Sequence, residues 1–167
     1  MPINEICTKI KNRKIQKDVF ITPQALSKIA IDMIDYIEGE LWFDPFKNTG
    51  SYYNQYPTDN KEYTEILEGK DFFEYNGSPA VISSNPPYSC INDVIKKSIE
   101  LKPRVIQYLL GINNMTPKRM EMFINGGYGL TKMHWCNVWS WFGMSCIFQF
   151  EKGKKSIITF DRPPYYL

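Results

Sequence analysis

The sequence predicts an α/β protein built on one sheet. Short apolar stretches that suit buried strands alternate with stretches whose apolar residues recur at helical spacing, and strands dominate the C-terminal end. The 167 residues are 43% hydrophobic and 23% charged, which is typical of a globular protein that can close a core. A chain of this length corresponds to about one domain. We therefore expect a single domain over residues 1–167.

The first predicted helix begins at Thr22-Pro23 and extends to about Ile37. Threonine can cap the free amide groups at the start of a helix, and proline fits its first position. Apolar residues then recur at helical spacing, namely Leu26, Ile29, Ala30, Met33 and Ile37, and Gly39 suits the end of the helix. Residues 1–18 precede this helix as a basic arm, which would either contact phosphates or stay solvated.

Three short strands are predicted next. The first, Leu41-Trp42-Phe43, ends on Asp44-Pro45 and leads into a loop rich in Gly, Asn and Tyr over residues 48–56. Residues 62–66 form the second strand. The third, residues 79–83, suits a buried strand and leads directly into Asn85-Pro86-Pro87-Tyr88.

The second half of the chain continues the alternation and then changes to strands. A helix over residues 90–101, a strand over residues 104–110 and a helix opening at Thr116-Pro117 are followed by strands over residues 130–135, 144–150 and 156–160. Residues 151–154 are expected to form a hairpin turn between the last two strands. This order predicts an α/β sheet with a β-rich C-terminal end.

Several classes of protein are excluded by the same sequence. No apolar run approaches the roughly 18 residues that a membrane span needs, and the N-terminus lacks the plan of a signal peptide, so we expect a cytoplasmic protein without a membrane partner. The four cysteines contain no C-x-x-C pair and His134 is the only histidine, so no metal site is expected. The net charge of +2 is too small to wrap long nucleic acid but permits local contact.

The most informative segment is Asn85-Pro86-Pro87-Tyr88. It lies between a buried strand and a helix, where α/β sheets build their sites. The side-chain oxygen of Asn85 and the carbonyl oxygen of Pro86 can both accept hydrogen bonds from one exocyclic amine, while Tyr88 can stack on a planar ring. Because none of these residues needs to form a covalent bond, the electrophile should itself be reactive, such as a sulfonium methyl. The alternative is a rigid turn, since two prolines restrict the backbone.

This segment resembles the catalytic loop, Asp/Asn/Ser-Pro-Pro-aromatic, of the S-adenosylmethionine-dependent N6-adenine DNA methyltransferases. Four other segments resemble elements of that family in the order of its gamma group: Phe20-Ile21-Thr22-Pro23, the loop from Asp44-Pro45 to Asn48-Thr49-Gly50, Glu65, and Asp71-Phe72. The resemblance extends from Phe20 to about Phe150. It implies a Rossmann-like class I methyltransferase sheet that carries the catalytic site in one domain.

The resemblance also implies a role for each matching residue. Phe20 and Thr22 would line the cofactor pocket, Asp44, Pro45, Asn48 and Gly50 would hold the methionine part of S-adenosylmethionine, and Glu65 would bind its ribose hydroxyls. Asp71 would contact the adenine amine of the cofactor and Phe72 would pack on the adenine ring. The catalytic residues would be Asn85, Pro86, Pro87 and Tyr88. Taken singly, each cofactor match has a plainer alternative, such as a capped helix, a common turn, an exposed carboxylate or a core aromatic.

The chain departs from the family pattern in its cofactor loop and its connections. Asn48 stands where the family has the first glycine of that loop, and its side chain keeps the backbone farther from a ligand. Residues 51–64 and 67–70 are too short or too poor in helix formers for crossover helices, so two such helices should be missing. A parallel sheet normally has both faces covered. We therefore expect a homo-oligomer or a partner subunit on the bare face, unless the loop around Tyr52, Tyr53 and Tyr56 covers it.

A separate domain for recognising the target is also missing from the pattern. The resemblance implies methyl transfer to the N6 amine of adenine, with DNA or another nucleic acid as the partner. Asn113-Asn114-Met115 is the one loop placed to help hold such a substrate. Two alternatives stay open: a non-catalytic methyltransferase-like subunit that binds a partner, and transfer to another planar amine, such as a protein glutamine or the N2 of guanine.

Overall fold

The computed structural model describes residues 20–138 and 143–161, and the predicted basic arm, residues 1–18, lies outside them. Within these residues the chain forms six strands and three α-helices. The strands are β1 (Trp42–Asp44), β2 (Lys61–Tyr63), β3 (Val81–Ser84), β4 (Val105–Gly111), β5 (Tyr128–Cys136) and β6 (Ser145–Lys152). The helices are α1 (Gln24–Asp32), α2 (Ile91–Glu100) and α3 (Pro117–Asn125).

All six strands belong to one sheet, in the order β2-β1-β3-β4-β6-β5. The first four strands in this order are parallel, whereas β6 is antiparallel to β4 and β5 is antiparallel to β6. This mixed sheet confirms the predicted α/β fold with a β-rich C-terminal end. The antiparallel part arises because β5 and β6 are consecutive in the chain and need no helix to connect them.

Helices α2 and α3 cover one face of the sheet. Their buried side chains include Ile91, Val94 and Ile95 of α2 and Met120 and Phe123 of α3. These residues recur at helical spacing, so each helix has an apolar side that faces the strands. Both helices lie close to their predicted positions.

The opposite face is covered by α1 and by the tyrosine-rich loop after β1. Tyr52 and Tyr56 of this loop are buried in the same apolar cluster as Trp42 and the buried side of α1. The Tyr56 ring lies 5.2 Å from the Trp42 ring, and its hydroxyl donates to the carbonyl oxygens of Phe43 and Ser83. The loop therefore covers the face from within the chain, which removes the reason for placing a second subunit there. An oligomer stays a prediction.

Short turns replace the two crossover helices that were expected to be missing. Between β1 and β2 the chain makes one 3₁₀ turn, Tyr53–Gln55, and between β2 and β3 it makes two, Ile66–Glu68 and Phe72–Glu74. The prediction of a reduced sheet is therefore confirmed for the described residues. The short connections leave the carboxyl ends of β1, β2 and β3 close together.

The first helix differs from its prediction. It ends at Asp32, so Ile37 lies beyond it and is exposed, as is Ile29. Ile31 and Ile34 are buried instead. Thr22 does not cap the helix and Pro23 is not its first residue, because the helix begins at Gln24 and Pro23 itself stands at the cap position.

Two predicted strands also need correction. The second strand covers Lys61–Tyr63 rather than residues 62–66, so Glu65 follows it in a bridge with Lys70. Residues 156–160 are not a strand and do not pair with β6. The two edges of β6 are occupied by β4 and β5. The segment instead lies against Leu130 of β5: Ile157 N donates to the Leu130 carbonyl oxygen (2.8 Å), and Leu130 N donates to the Ser156 hydroxyl (3.1 Å).

None of the helices in the described part of the chain has the length and apolar character needed to cross a membrane.

Candidate active site

A cavity of about 260 Å³ opens at the carboxyl ends of the parallel strands. Strand β1 pairs with β2 on one side and with β3 on the other, so the strand order reverses direction between β1 and β3. Open α/β sheets bind ligands at such a switch point. The cavity is lined by all predicted site residues except Asp44 and Gly50: Phe20, Thr22, Pro45, Asn48, Glu65, Asp71, Phe72, Asn85, Pro86, Pro87 and Tyr88.

The Asn85 side chain is anchored by Thr22. Its amide nitrogen Nδ2 donates to the hydroxyl oxygen of Thr22 at 3.2 Å. This bond leaves the other end of the carboxamide, the acceptor oxygen Oδ1, available to a ligand. The neighbouring Pro86 is buried, and its carbonyl has no competing N–H at Pro87. Asn85 and Pro86, which carry the two predicted acceptors, both line the cavity.

The Tyr88 ring is fixed from the side of β4. Its hydroxyl accepts a hydrogen bond from the backbone N–H of Gly111, the last residue of β4, at 2.9 Å. A Cβ atom at Gly111 would lie 3.6 Å from the Tyr88 ring and 3.3 Å from the side-chain nitrogen of Asn114. The predicted substrate loop, which contains Asn114, therefore lies next to Tyr88. A ring anchored in this way is suited to stack on a planar group.

The loop after β1 is shaped by two left-handed residues. Asn48 has a φ of 47° and Gly50 a φ of 86°, and a Cβ atom at Gly50 would lie 2.6 Å from the Asn54 side chain. Asparagine tolerates this conformation better than most residues, which explains how Asn48 can replace a glycine. Gly50 does not line the cavity and instead allows the chain to turn.

Glu65 joins this loop to the segment after β2. One carboxylate oxygen accepts from the backbone N–H of Asn48 (2.7 Å), and the other accepts from the N–H of Leu67 (3.1 Å). Each oxygen keeps a second acceptor position. The acid is thus oriented at the cavity wall and retains the capacity to accept from hydroxyl groups.

Asp44 lies behind the cavity wall. One carboxylate oxygen, Oδ1, accepts from the Ser84 hydroxyl (2.6 Å) and from the N–H of Phe46 (3.2 Å). The other, Oδ2, is buried and accepts no hydrogen bond of good geometry among the described residues, although the backbone N–H of Tyr53 lies near enough to lower the pKa of the carboxyl group. Burial raises the pKa of Asp44 to about 7, and the hydrogen bond from Ser84 only partly offsets this. Asp44 therefore ties β1 to β3, and its predicted contact with a cofactor stays a prediction.

Asp71 and Phe72 follow on the opposite side of the cavity. The Asp71 carboxylate accepts from the N–H of Phe73 at 2.9 Å, which begins the 3₁₀ turn. Phe72 is buried, and its ring packs edge-on against Phe46 at 5.3 Å and near Phe43 at 6.0 Å. Phe46 and Phe72 thus give the cavity an aromatic wall, and Asp71 lines the cavity beside them; the predicted contacts of Asp71 and Phe72 with a cofactor stay predictions.

Several lining residues were not predicted. Phe46, Lys47, Ile66, Leu67, Lys70 and Tyr52 also border the cavity. Lys47 donates to Glu68 at 3.0 Å, and Lys47 and Lys70 each lie 3.9 Å from the centre of the Tyr63 ring. Ile66, Leu67 and Lys70 reach the cavity through the pairing of β1 with β2, which no spacing in the sequence indicates. Phe46 and Lys47 could have been found, because they lie inside the predicted cofactor loop.

The comparisons with known proteins support the fold. No model of a known protein family matches the sequence, and no curated protein matches it. A methyltransferase from Pyrococcus furiosus is similar in structure, with a TM-score of 0.58 and 16% identity over 90% of this chain and 96% of that one. Magnesium protoporphyrin IX methyltransferase from Synechocystis PCC 6803, solved with bound SAH, has a TM-score of 0.59 and 10% identity over 89% and 98% of the two chains.

A further structural neighbour is described as a modification subunit of a type I restriction enzyme from Vibrio vulnificus YJ016. The TM-score is 0.55 and the identity 12%, over 92% of this chain and 48% of that chain. At such identities the likeness concerns the fold alone. The sheet has the Rossmann-like fold of these neighbours, as predicted.

Proposed function

We propose that this protein transfers a methyl group from S-adenosylmethionine to the N6 amine of adenine in nucleic acid, with DNA as the substrate. The observation that carries the proposal is the single cavity shared by the Asn85-Pro86-Pro87-Tyr88 loop and the predicted cofactor residues. These residues lie far apart in the sequence, between Phe20 and Tyr88, and the fold brings them to one cavity. A rigid structural turn would not need to face an acid, an aromatic wall and a left-handed loop.

The residues around the cavity fit the cofactor. Glu65 offers acceptors for the ribose hydroxyls, Phe46 and Phe72 form an aromatic wall for an adenine ring, and Asp71 lies at the rim of that wall. Asp44 lies behind this wall, where it accepts from Ser84 and from the N–H of Phe46, so it would support the loop that holds the methionine part of the cofactor. When bound, S-adenosylmethionine would supply an electrophilic methyl group.

The loop residues orient the amine that accepts the methyl group. Asn85 Oδ1 and the Pro86 carbonyl oxygen accept its two hydrogens, so the nitrogen lone pair is turned out of conjugation with the ring. Tyr88 stacks on the ring and is held by its hydrogen bond from Gly111. Positioning of this kind can lower a barrier by several kcal/mol. None of these residues acts as a nucleophile: the amine nitrogen would take the methyl group, the demethylated cofactor would leave, and the surplus proton of the amine would pass to solvent.

The choice of adenine in DNA rests on the resemblance of the loop and on one neighbour's role as a restriction-modification subunit. Reaching an adenine inside a duplex requires flipping it out, at a cost of a few kcal/mol. No separate recognition domain is present among the described residues. We therefore expect transfer to single-stranded DNA to exceed transfer to duplex DNA.

Two measurements test the proposal. Calorimetric titration with S-adenosylmethionine should give saturable binding, and labelled methyl transfer should be found with single-stranded DNA in a comparison with duplex DNA, RNA and protein. Asn85→Ala should lower transfer about 100-fold with cofactor affinity unchanged. Asn125→Ala, which removes an exposed amide at the end of α3, is the matched control. Equal loss of transfer and of cofactor binding in Asn85→Ala would contradict the assigned role.

A non-catalytic methyltransferase-like subunit is the second candidate. The cavity of about 260 Å³ is slightly smaller than typical ligand pockets, which begin at about 300 Å³, and the Asn48 side chain occupies part of its wall. Absence of binding at millimolar S-adenosylmethionine would favour this candidate over the enzyme.

A further inference from the structure

Thr22 occupies a position in the structure that its sequence context does not explain. It stands next to the start of α1, yet its side chain does not cap the helix. It is 5% exposed and borders the cavity. Its hydroxyl oxygen instead accepts from Asn85 Nδ2, across 63 residues of sequence. The Thr22 hydroxyl therefore contributes to the position of Asn85 and not to the start of α1.

The backbone of Thr22 is held by the loop after β1. The Ser51 hydroxyl donates to the Thr22 carbonyl oxygen at 2.7 Å. The Ser51 carbonyl in turn accepts from the Ser27 hydroxyl (2.8 Å) and from Gln55 Nε2 (2.7 Å), and Gln55 also donates to the Ser27 hydroxyl (2.8 Å). Thr22 is therefore fixed on one side by the loop that begins at Asp44 and on the other side it fixes Asn85.

This arrangement anchors the Asn85 carboxamide beside the cavity. With Nδ2 engaged by Thr22, the acceptor Oδ1 remains for the cavity. Without that contact the carboxamide can turn by half a rotation and present its own N–H groups. Two N–H donors facing each other repel, so an amine could not be held in that orientation.

We infer that Thr22 is a positioning residue for methyl transfer: its hydroxyl sets the orientation of Asn85, and its carbonyl connects that orientation to the cofactor loop through Ser51. This inference rests on the proposed function and gives Thr22 a task other than the cofactor contact that the sequence predicts. The side chain of Thr22 contacts Asn85, and its backbone carbonyl contacts Ser51. A substitution that changes only the side chain therefore removes the first contact and keeps the second.

The test compares three variants of the full chain. Thr22→Val has nearly the same shape but lacks the hydroxyl and keeps the carbonyl, so it should lower kcat for single-stranded DNA about 10- to 100-fold while the Kd for S-adenosylmethionine changes less than about 2-fold. Thr22→Ser restores the hydroxyl and should recover most of the loss. Thr131→Val, which removes a hydroxyl that bonds Glu151 on the neighbouring strand, is the control.

NMR of the protein without cofactor or substrate tests the Thr22–Asn85 contact directly. The side-chain amide signals of Asn85, assigned in an NMR spectrum by their loss in Asn85→Ala, should shift in Thr22→Val and stay in place in Thr131→Val. In an Asn85→Ala background, Thr22→Val should cause no further loss of transfer.

Three outcomes would overturn the inference. If wild-type protein transfers methyl groups and Thr22→Val does so equally well, Thr22 does not position Asn85. If Thr22→Val weakens cofactor binding as much as transfer, Thr22 contacts the cofactor instead. If Thr22→Val and Thr22→Ser lose transfer equally, the hydroxyl is not the active feature. Absence of transfer by wild-type protein on every substrate would instead remove the proposed function, and the inference with it.

Discussion

Replacing Asp44 by asparagine should remove a large part of the pH dependence of stability. Burial raises the pKa of this carboxyl group from 3.8 to about 7, so the folded protein binds a proton that the unfolded chain releases. Protonated Asp44 therefore contributes to the free energy of unfolding. This contribution is fully present below about pH 4 and is lost as the pH rises to about 7. The difference between the two pKa values corresponds to about 4 kcal/mol, which is an upper value for a fully buried group.

The assay is urea unfolding of the wild type and Asp44→Asn at several pH values from 4 to 8. The asparagine amide can retain the acceptor contacts of Oδ1 with Ser84 and Phe46. The free energy of unfolding of Asp44→Asn, relative to wild type, should therefore increase by up to about 4 kcal/mol between pH 4 and pH 8. Asp59→Asn, at an exposed position, is the control and should leave the wild-type profile unchanged. Parallel pH profiles for wild type and Asp44→Asn would refute the reasoning.

The other predictions concern single groups around the same cavity. Tyr52→Phe should raise the free energy of unfolding by about 1 kcal/mol, because it removes a buried hydroxyl without a partner among the described residues. Tyr56→Phe should lower it by about 1 kcal/mol, because that hydroxyl donates to two backbone carbonyls; urea unfolding measures both, and equal effects would contradict the distinction. Asn48→Gly keeps the positive φ and removes a side chain from the cavity wall, so calorimetry should show an S-adenosylmethionine Kd about 3- to 10-fold lower, equivalent to about 1 kcal/mol. Tyr88→Phe loses the acceptor for Gly111 but keeps the ring, so stability should fall by about 1 kcal/mol with cofactor binding unchanged; a loss of cofactor affinity would place the Tyr88 hydroxyl in the cofactor site.

Much of the site could be predicted because its residues follow strands directly. Asp44-Pro45 ends a strand with a clear apolar run, and Asn85-Pro86-Pro87-Tyr88 ends another. Parallel strands bring their carboxyl ends to one edge, so residues that end such strands converge whatever the details of packing. The convergence of the predicted residues on one cavity follows from that rule.

The errors have a common physical cause. Thr22-Pro23 has the composition of a helix start, yet the Thr22 hydroxyl bonds Asn85 instead. Residues 156–160 have the composition of a strand, yet the edge of β6 is already occupied. In both places a local preference worth about 1 kcal/mol or less gave way to a tertiary contact.

The sequence by itself determined the alternation of strands and helices, the loss of two crossover helices, and the amino acids offered at the strand ends. It did so because periodicity, turn residues and connection lengths are local properties of the chain. Only the tertiary structure decided that Tyr52 and Tyr56 cover the bare face, that Asp44 lies behind the cavity wall, and that Thr22 holds Asn85. These outcomes depend on the register and packing of segments far apart in sequence, which determine where each polar group finds its partner.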